Sequence, residues 1–318
     1  MARPTNEYVS RFKKWQDTAV VHSKPHPTLQ DFEKDLDFYS RELSILLTHP
    51  KVADLPKEKI DALLVYELYN YLEFTVWLEL GPVNEVCNLI RKPSFLPWMS
   101  QQMKDDALKI YVDEGAHAEM AFSLISKIEE YTGIKSLRLE PMFLKELDDI
   151  ILSQPEEHEE MIKLFFVIIS ETLITGTLKG LPNDESVQKG IRDFALDHAM
   201  DEGKHHAYFK QLFELLWPKM DKDLQITIGS QLPKMILGFL QPDAHVSTQI
   251  LLQFFSEEEA DKIITDLLES EETIDGVRKS SFPTKRMLKN SNLFEIQEIE
   301  DAFNKHHLLK GEEDTATA

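Results

Sequence analysis

Apolar residues recur at three- and four-residue steps along most of the chain, and few stretches alternate with the two-residue period of a strand, so the pattern predicts helices nearly throughout. Residues 1–27, with prolines at 4, 25 and 27, interrupt that pattern and read as an arm laid over the surface. Thr28 is placed to cap a helix reaching about Leu46, and Pro50 and Pro56 mark the loop after it. From Lys57 a helix runs through Leu63, Tyr66, Asn70, Glu73, Val76 and Glu79 to Gly81-Pro82. There it must end or kink, because proline disfavours helix in the residue before it; the pattern then resumes to Ile90. Ser100 caps a long helix to Tyr131 that stops near Gly133. Helices over 143–152, 156–178 and 184–217 follow, and the second contains the run from Leu164 to Ile169, apolar on all sides, which makes it the most central. Shorter helices are predicted at 221–240, 246–254, 257–270 and 293–308, and 311–318 reads as a disordered tail. No composition shift marks a linker, so 28–310 reads as a single all-α domain.

Two of these helices carry polar interruptions on otherwise apolar faces. In the 184–217 helix, Val187, Ile191 and Phe194 lead into His198, Glu202 and His205, and Phe209, Leu212 and Leu216 lead out. Steps of three and four residues put these side chains within about 60° of one another. In the helix after Ser100, Ala107 and Ile110 precede Glu114 and His117, and Ala121, Leu124 and Ile128 follow. The flanks match: Asp113-Glu114-Gly115-Ala116-His117 is repeated as Asp201-Glu202-Gly203-Lys204-His205. A helix upstream of each motif bears an isolated acid in an apolar setting, Glu79 before the first and Glu171 before the second. Glu79 is chosen over Glu73 because its helical neighbours are Leu72, Thr75, Val76, Val83 and Val86.

Burying such carboxylates without partners costs several kcal/mol or more, and a metal would supply the partner. One Glu from each of two helices and Glu-x-x-His from each of two others is the ligand recipe of a carboxylate-bridged two-metal site in a ferritin-like four-helix bundle. Two hard divalent ions need anionic oxygen donors, and one imidazole each leaves positions open for dioxygen. Metal-bound imidazoles usually give their other N–H to a carboxylate, carbonyl or water, so Asp113 and Asp201 are expected to serve the histidines, each across to the opposite helix. His206 lies about 100° off the ligand stripe.

Composition narrows the alternatives. Lys and Arg total 35 against 56 Asp and Glu, a formal charge of -21, which argues against nucleic acid or an anionic membrane as partner. The single cysteine, Cys87, can form no disulfide within the chain and lies in an apolar helical run, where an inert core residue is expected. The first residues lack an apolar signal core and no stretch approaches a membrane span, so a soluble, cytoplasmic protein is expected.

The ligand pattern resembles the AurF-type non-haem di-iron N-oxygenases over about residues 60–215. What carries the resemblance is His198, a third histidine four residues before the second motif glutamate, together with the intervals from Glu79 to Glu114 and from Glu171 to His198. The resemblance implies a ferritin-like four-helix core with additional C-terminal helices. It also implies two irons (manganese by ligand type alone is an alternative), with Glu79 and His117 on one, Glu171, His198 and His205 on the other, and Glu114 and Glu202 bridging. It further implies dioxygen as co-substrate, activated as a peroxo-diferric species, and oxidation of an amine nitrogen to hydroxylamine, nitroso or nitro products in specialised metabolism. The amine would be an arylamine or amino-acid-derived amine, free or carrier-bound, with electrons from an external reductase or ferredoxin; a homodimer is also implied. An oxidase or desaturase acting on C–H bonds would ordinarily use two histidines, and His198 discriminates against it. A ferroxidase or storage protein has no use for the added helices from 219 to 308, which suit a covered active site. Thr172 and Thr175, with Phe122, Phe165 and Phe194, could line a pocket, though core packing is the plainer reading of each. Arg278 and Arg286 are candidates by type for a substrate carboxylate.

Overall fold

The computed structural model describes residues 7–23, 32–177 and 180–309, with the side chains of 175–177 left aside. The protein is all-α. Among the described residues the extended backbone is limited to an isolated bridge between Asp37 and Val187. Among the described residues thirteen α-helices of more than four residues follow one another: α1 (Lys57–Leu78), α2 (Asn84–Ile90), α3 (Gln101–Thr132), α4 (Met142–Leu152), α5 (Glu159–Thr177), α6 (Lys189–Leu216), α7 (Lys222–Gly229), α8 (Leu232–Leu240), α9 (Ala244–Leu251), α10 (Glu257–Leu268), α11 (Glu271–Ser280), α12 (Phe282–Asn290) and α13 (Gln297–Lys305). None is long and apolar enough to cross a membrane.

The core is a bundle of α1 with α2, α3, α5 and α6, in which α5 packs on α6, α1 and α2 on α3, and α3 on α6. Helix α5 is central as its sequence requires: Leu164, Phe165, Val167 and Ile168 are inaccessible, and Phe166 and Ile169 nearly so. Local chemistry sets the ends of α3. The Ser100 hydroxyl accepts the Met103 amide at its start, and Gly133, at φ 73°, closes it in the left-handed conformation that costs glycine no Cβ clash. At Gly81-Pro82 the chain kinks, with Gly81 at a non-helical φ of -87° and ψ of -107°. It runs through one π turn, Glu79–Val83, between α1 and α2, because proline has no N–H for the α-helical ladder. The shorter helices α7, α8, α11 and α12 pack on α5, and α9 packs on α1 and α4, so the C-terminal third covers one side of the bundle.

Three expectations need correction. The predicted helix from Thr28 to Leu46 begins outside the described residues, and from 32 onward the chain is turns and bends, ending in a 3-10 turn at Leu46–Thr48. Its backbone groups have found other partners: the Gln188 side-chain amide donates to the Glu33 and Leu36 carbonyls, and Asp37 exchanges backbone hydrogen bonds with Ser186 and Gln188. The predicted 221–240 helix is two, α7 and α8, and the 184–217 helix starts at Lys189 after a separate 3-10 turn at Leu181–Asn183. Helices α11 and α12, short and strongly charged, were not anticipated. The expected tail at 311–318 lies outside the described residues.

The arm is more than a surface covering. Phe12, Trp15, Ala19 and Val20 are buried, and the segment is fastened to α3 and α6 by Tyr8 to Asp106, Trp15 to Asp113 and the Val20 amide to Asp201.

Candidate metal centre

Glu79 leaves the end of α1 as the π turn begins, Glu114 and His117 project from α3, Glu171 from α5, and His198, Glu202 and His205 from α6. All seven are at most 1 % exposed. Their donor atoms fall into two groups, Glu79, His117, His198 and Glu202 in one and Glu114, Glu171, Glu202 and His205 in the other, each with its atoms within 4.8 Å of one another. Glu202 belongs to both. Glu114 also spans them, with Oε1 2.9 Å from His205 Nδ1 and Oε2 3.0 Å from His117 Nδ1. The third histidine is grouped differently from what the resemblance implies. His198 Nε2 lies 2.9 Å from Glu79 Oε1 and its ring centroid 4.5 Å from that of His117, so it sits on the Glu79 side and not with Glu171 and His205.

Many of these close approaches are not aligned as hydrogen bonds. Both Glu79 oxygens, Glu171 Oε2, Glu202 Oε2 and both ring nitrogens of His198 are buried without a hydrogen-bond partner. Orphaned donors and acceptors at such density are costly in a protein interior, and lone pairs converging on common points are what a cation requires. Two divalent ions would neutralise the four glutamates and leave three neutral imidazoles as ligands, so the donor set fits a two-metal centre.

The surrounding contacts repeat with the motif. His205 Nε2 lies 3.2 Å from Asp113 Oδ2, and His117 Nε2 lies 3.4 Å from Asp201 Oδ2, each aspartate on the helix opposite its histidine. Asp113 also accepts the Trp15 indole N–H at 2.9 Å, and Asp201 accepts from Lys204 Nζ at 2.8 Å and the Val20 amide at 3.1 Å. Burial pushes Glu79 up to about 7 against the pull of His198, and drives Glu171 well above the carboxylate range with Glu202 and Glu114 adding to it. Burial also pushes on Glu202, but His205 and His198 together outweigh it and hold that carboxyl below its usual range. The histidines lose by burial and gain more from their carboxylates: His198 stands at about 9, and His117 and His205 are well above 6.5.

A cavity of about 520 Å³ lies between α1, α5 and the covering helices α4, α8 and α9. Glu67, Tyr71 and Thr75 line it in four-residue steps along α1, and the next step on that stripe is Glu79. Ile174, one turn beyond Glu171 on α5, lines it too. The cavity therefore reaches within one helical turn of two glutamates of the centre. Tyr71 stands at the junction with its hydroxyl buried and unpartnered; burial raises it well above 10, with Tyr39, Glu79 and Glu202 adding to the effect.

Other expected lining residues are elsewhere. Phe122 is 49 % exposed under the Arg138 guanidinium, Phe165 packs on Phe213 and Trp217, and Thr172 bonds to Ile169 O and Thr284. The Thr175 side chain lies outside the described residues. Phe194 does reach the centre, 6.0 Å from the His198 ring. Cys87 is fully buried with its thiol pushed up by burial, and Glu73 is occupied by the Ser136 hydroxyl. Arg278 is tied to Asp275 and the His307 carbonyl, Arg286 is exposed, and neither lines the cavity. Glu67 and Tyr71 were missed in the sequence, although the four-residue ladder 67, 71, 75, 79 was there to be read.

The chain matches the AurF family, described as p-aminobenzoate N-oxygenase, over residues 14–291. It belongs to that family. Membership makes it a helical ferritin-like protein and an oxidoreductase of the di-iron N-oxygenase kind. The AurF match extends well outside the four-helix core, taking in the arm from Lys14 and the covering helices through α12. No curated protein matches the chain closely enough to count as a relative.

Proposed function

We propose that the protein is an oxygenase that uses two irons held by Glu79, Glu114, His117, Glu171, His198, Glu202 and His205 to oxidise the nitrogen of a small-molecule amine. The observation that carries the reading is the convergence, from four helices, of four glutamates and three histidines on one buried spot where both Glu79 oxygens, both His198 nitrogens and one oxygen each of Glu114, Glu171 and Glu202 lack hydrogen-bond partners. When bound, the iron pair supplies dioxygen reduction and transfer of one oxygen atom. The first step balances as R–NH2 + O2 + 2 e⁻ + 2 H⁺ giving R–NHOH and water, with the electrons from an external reduced iron–sulfur or flavin protein.

The chain's own residues shape the rest. Asp113 and Asp201 fix the ring orientation and tautomer of His205 and His117, so that Nδ1 faces the Glu114 and Glu202 carboxylates and would be free to hold a metal there. Tyr71, kept neutral by burial, is placed to donate a hydrogen bond at the inner end of the cavity, and the covering helices limit water there. His198 would add a third imidazole to the metal pair, on the Glu79 side, in keeping with the amine oxygenation that the resemblance implies.

The test is metal analysis of the purified chain followed by exposure of its ferrous form to dioxygen with an electron donor and a panel of amines, p-aminobenzoate included, with products read by mass spectrometry. About two irons per chain and a hydroxylamine or nitro product from any amine support the reading. Iron bound but turned only into ferric mineral, or no iron bound, overturns it.

A further inference from the structure

The acids that line the substrate-sized cavity say what kind of molecule fits it. Glu67 is 8 % exposed, lines the cavity, and has one carboxyl oxygen, Oε2, with no partner. Glu146, half-buried, and Asp243 share the wall, although Asp243 is occupied in capping α9 and holding the Met142 amide. A second hollow of about 230 Å³ shares Leu43, Ser44-adjacent Ile45, Leu240 and Pro242 with the first and adds Glu42 and Glu272. Among the described residues neither lining includes a lysine, arginine or histidine. The described walls of the two hollows therefore offer a ligand carboxylates and aromatic rings (Tyr39, Tyr71, Phe74, Phe143 and Phe239) and no cation.

We propose that the cavity is the substrate chamber of this centre and that Glu67 binds a second, protonated nitrogen at the far end of the substrate, so that the substrate is an elongated free diamine. This rests on the amine-oxygenase reading above. The length follows from the helix: Glu67 and Glu79 are twelve residues apart, about 18 Å along α1, and the approach of each nitrogen to its carboxylate or metal leaves a nitrogen–nitrogen span on the order of 10 Å. The aromatic walls hold the apolar middle. A substrate bearing a carboxylate finds no ion pair at Glu67, where burial pushes the carboxyl up to about 7, and no guanidinium among the described lining residues to receive it. A carrier-tethered substrate would bring an anionic phosphodiester to walls that carry Glu67, Glu146, Glu42 and Glu272, and like charge opposes it.

The experiment is equilibrium binding by calorimetry to the purified full-length protein under anaerobic conditions, so that no turnover is needed. The probes are 4-(4-aminobutyl)aniline, its uncharged counterpart 4-pentylaniline, and 5-(4-aminophenyl)pentanoic acid. The diamine is expected to bind about tenfold or more tighter than the alkylaniline, and the acid more weakly than either. In Glu67→Gln the diamine should lose about 10- to 100-fold while the alkylaniline changes less than about threefold. Equal affinity for acid and diamine in the unaltered protein overturns the proposal without any variant, so a Glu67→Gln chain that fails to fold leaves it decidable. An unchanged diamine affinity in a folded Glu67→Gln overturns it as well. The two readings fail separately: diamine binding with no N-oxidation by the iron-loaded protein removes the oxygenase and keeps the chamber, whereas N-oxidation confined to carboxylate-bearing amines removes the chamber assignment and keeps the oxygenase.

Discussion

At the scale of single residues, the placement of His198 has the most direct consequence. Its Nε2 is 2.9 Å from Glu79 Oε1 and 3.3 Å from Glu202 Oε1, so its loss should empty the Glu79–His117 side and spare the side built from Glu171 and His205. His198→Ala is expected to lower iron from about two to about one per chain, measured by metal analysis after desalting; an unchanged content would show that His198 is not a ligand. Asp113→Asn should weaken metal binding about 10- to 100-fold, because outer carboxylates orient the imidazoles they face, and competition with a chromophoric chelator reads that change. These residues were legible in the sequence because a carboxylate or imidazole on an apolar stripe has few structural reasons to exist. Glu79 was separable from Glu73 on that ground alone, and the structure puts Glu73 against Ser136 while Glu79 is buried in the cluster. The allocation of His198 was not legible, since helical phase gives the direction of a side chain and not which of two points about a ring's width apart it serves. The pocket aromatics failed for the same reason: Phe122 and Phe165 are near the motifs in sequence and on other faces in space.

At the scale of elements, long helices with a strong apolar period and defined ends were readable from their residues. Ser100 and Gly133 fixed α3, and the structure adds a Ser256–Glu259 capping box at the start of α10. The segment at 32–45 was not readable, because its course is decided by Gln188 more than a hundred residues away, a partner that local periodicity cannot include. Glycine follows each motif glutamate, at 115 and 203. A Cβ at Gly115 or Gly203 would meet nothing within 4 Å, so these glycines only weaken the helices they sit in. Gly115→Ala and Gly203→Ala are each expected to stabilise the protein by up to about 1 kcal/mol with iron content unchanged, seen as a raised denaturation midpoint; destabilisation would mean that the backbone there needs glycine. The arm is bound into the centre in a way its prolines did not foretell. Trp15 holds Asp113, which holds His205, and so Trp15→Phe should speed the loss of iron to a chelator several-fold while leaving the helical circular dichroism intact, whereas an unaltered release rate would make the arm a mere cover.

At the scale of the whole molecule, the bundle is folded around buried carboxylates and imidazoles that can take up protons or hold metal, and stability, protons and metal are therefore linked. Glu79, raised to about 7, and His198, raised to about 9, bind protons more tightly in the folded chain than in the unfolded one. By linkage the metal-free protein gains stability from Glu79 below the ordinary carboxylate range and loses it as pH rises through about 7. The contribution of His198 is complete below its ordinary value of 6.5 and is lost as pH rises through about 9. Metal has the opposite dependence, because ligation requires neutral imidazoles and ionised carboxylates, so its affinity rises over the same interval. Each ion at a hundredfold excess over its dissociation constant adds about 2.7 kcal/mol, and two such ions raise the melting temperature by on the order of 10 °C. Melting curves of the chelated and the Fe(II)-loaded protein, the latter kept anaerobic, at pH 6, 7.5 and 9 should therefore diverge: the metal-free midpoint falls with pH while the loaded one holds, and the gap is widest at pH 9. Parallel curves would mean that the buried glutamates and histidines are satisfied without metal. In that case the centre would be a polar core that holds four helices in register, and the reactive chemistry assigned to it would have to be sought elsewhere in the fold.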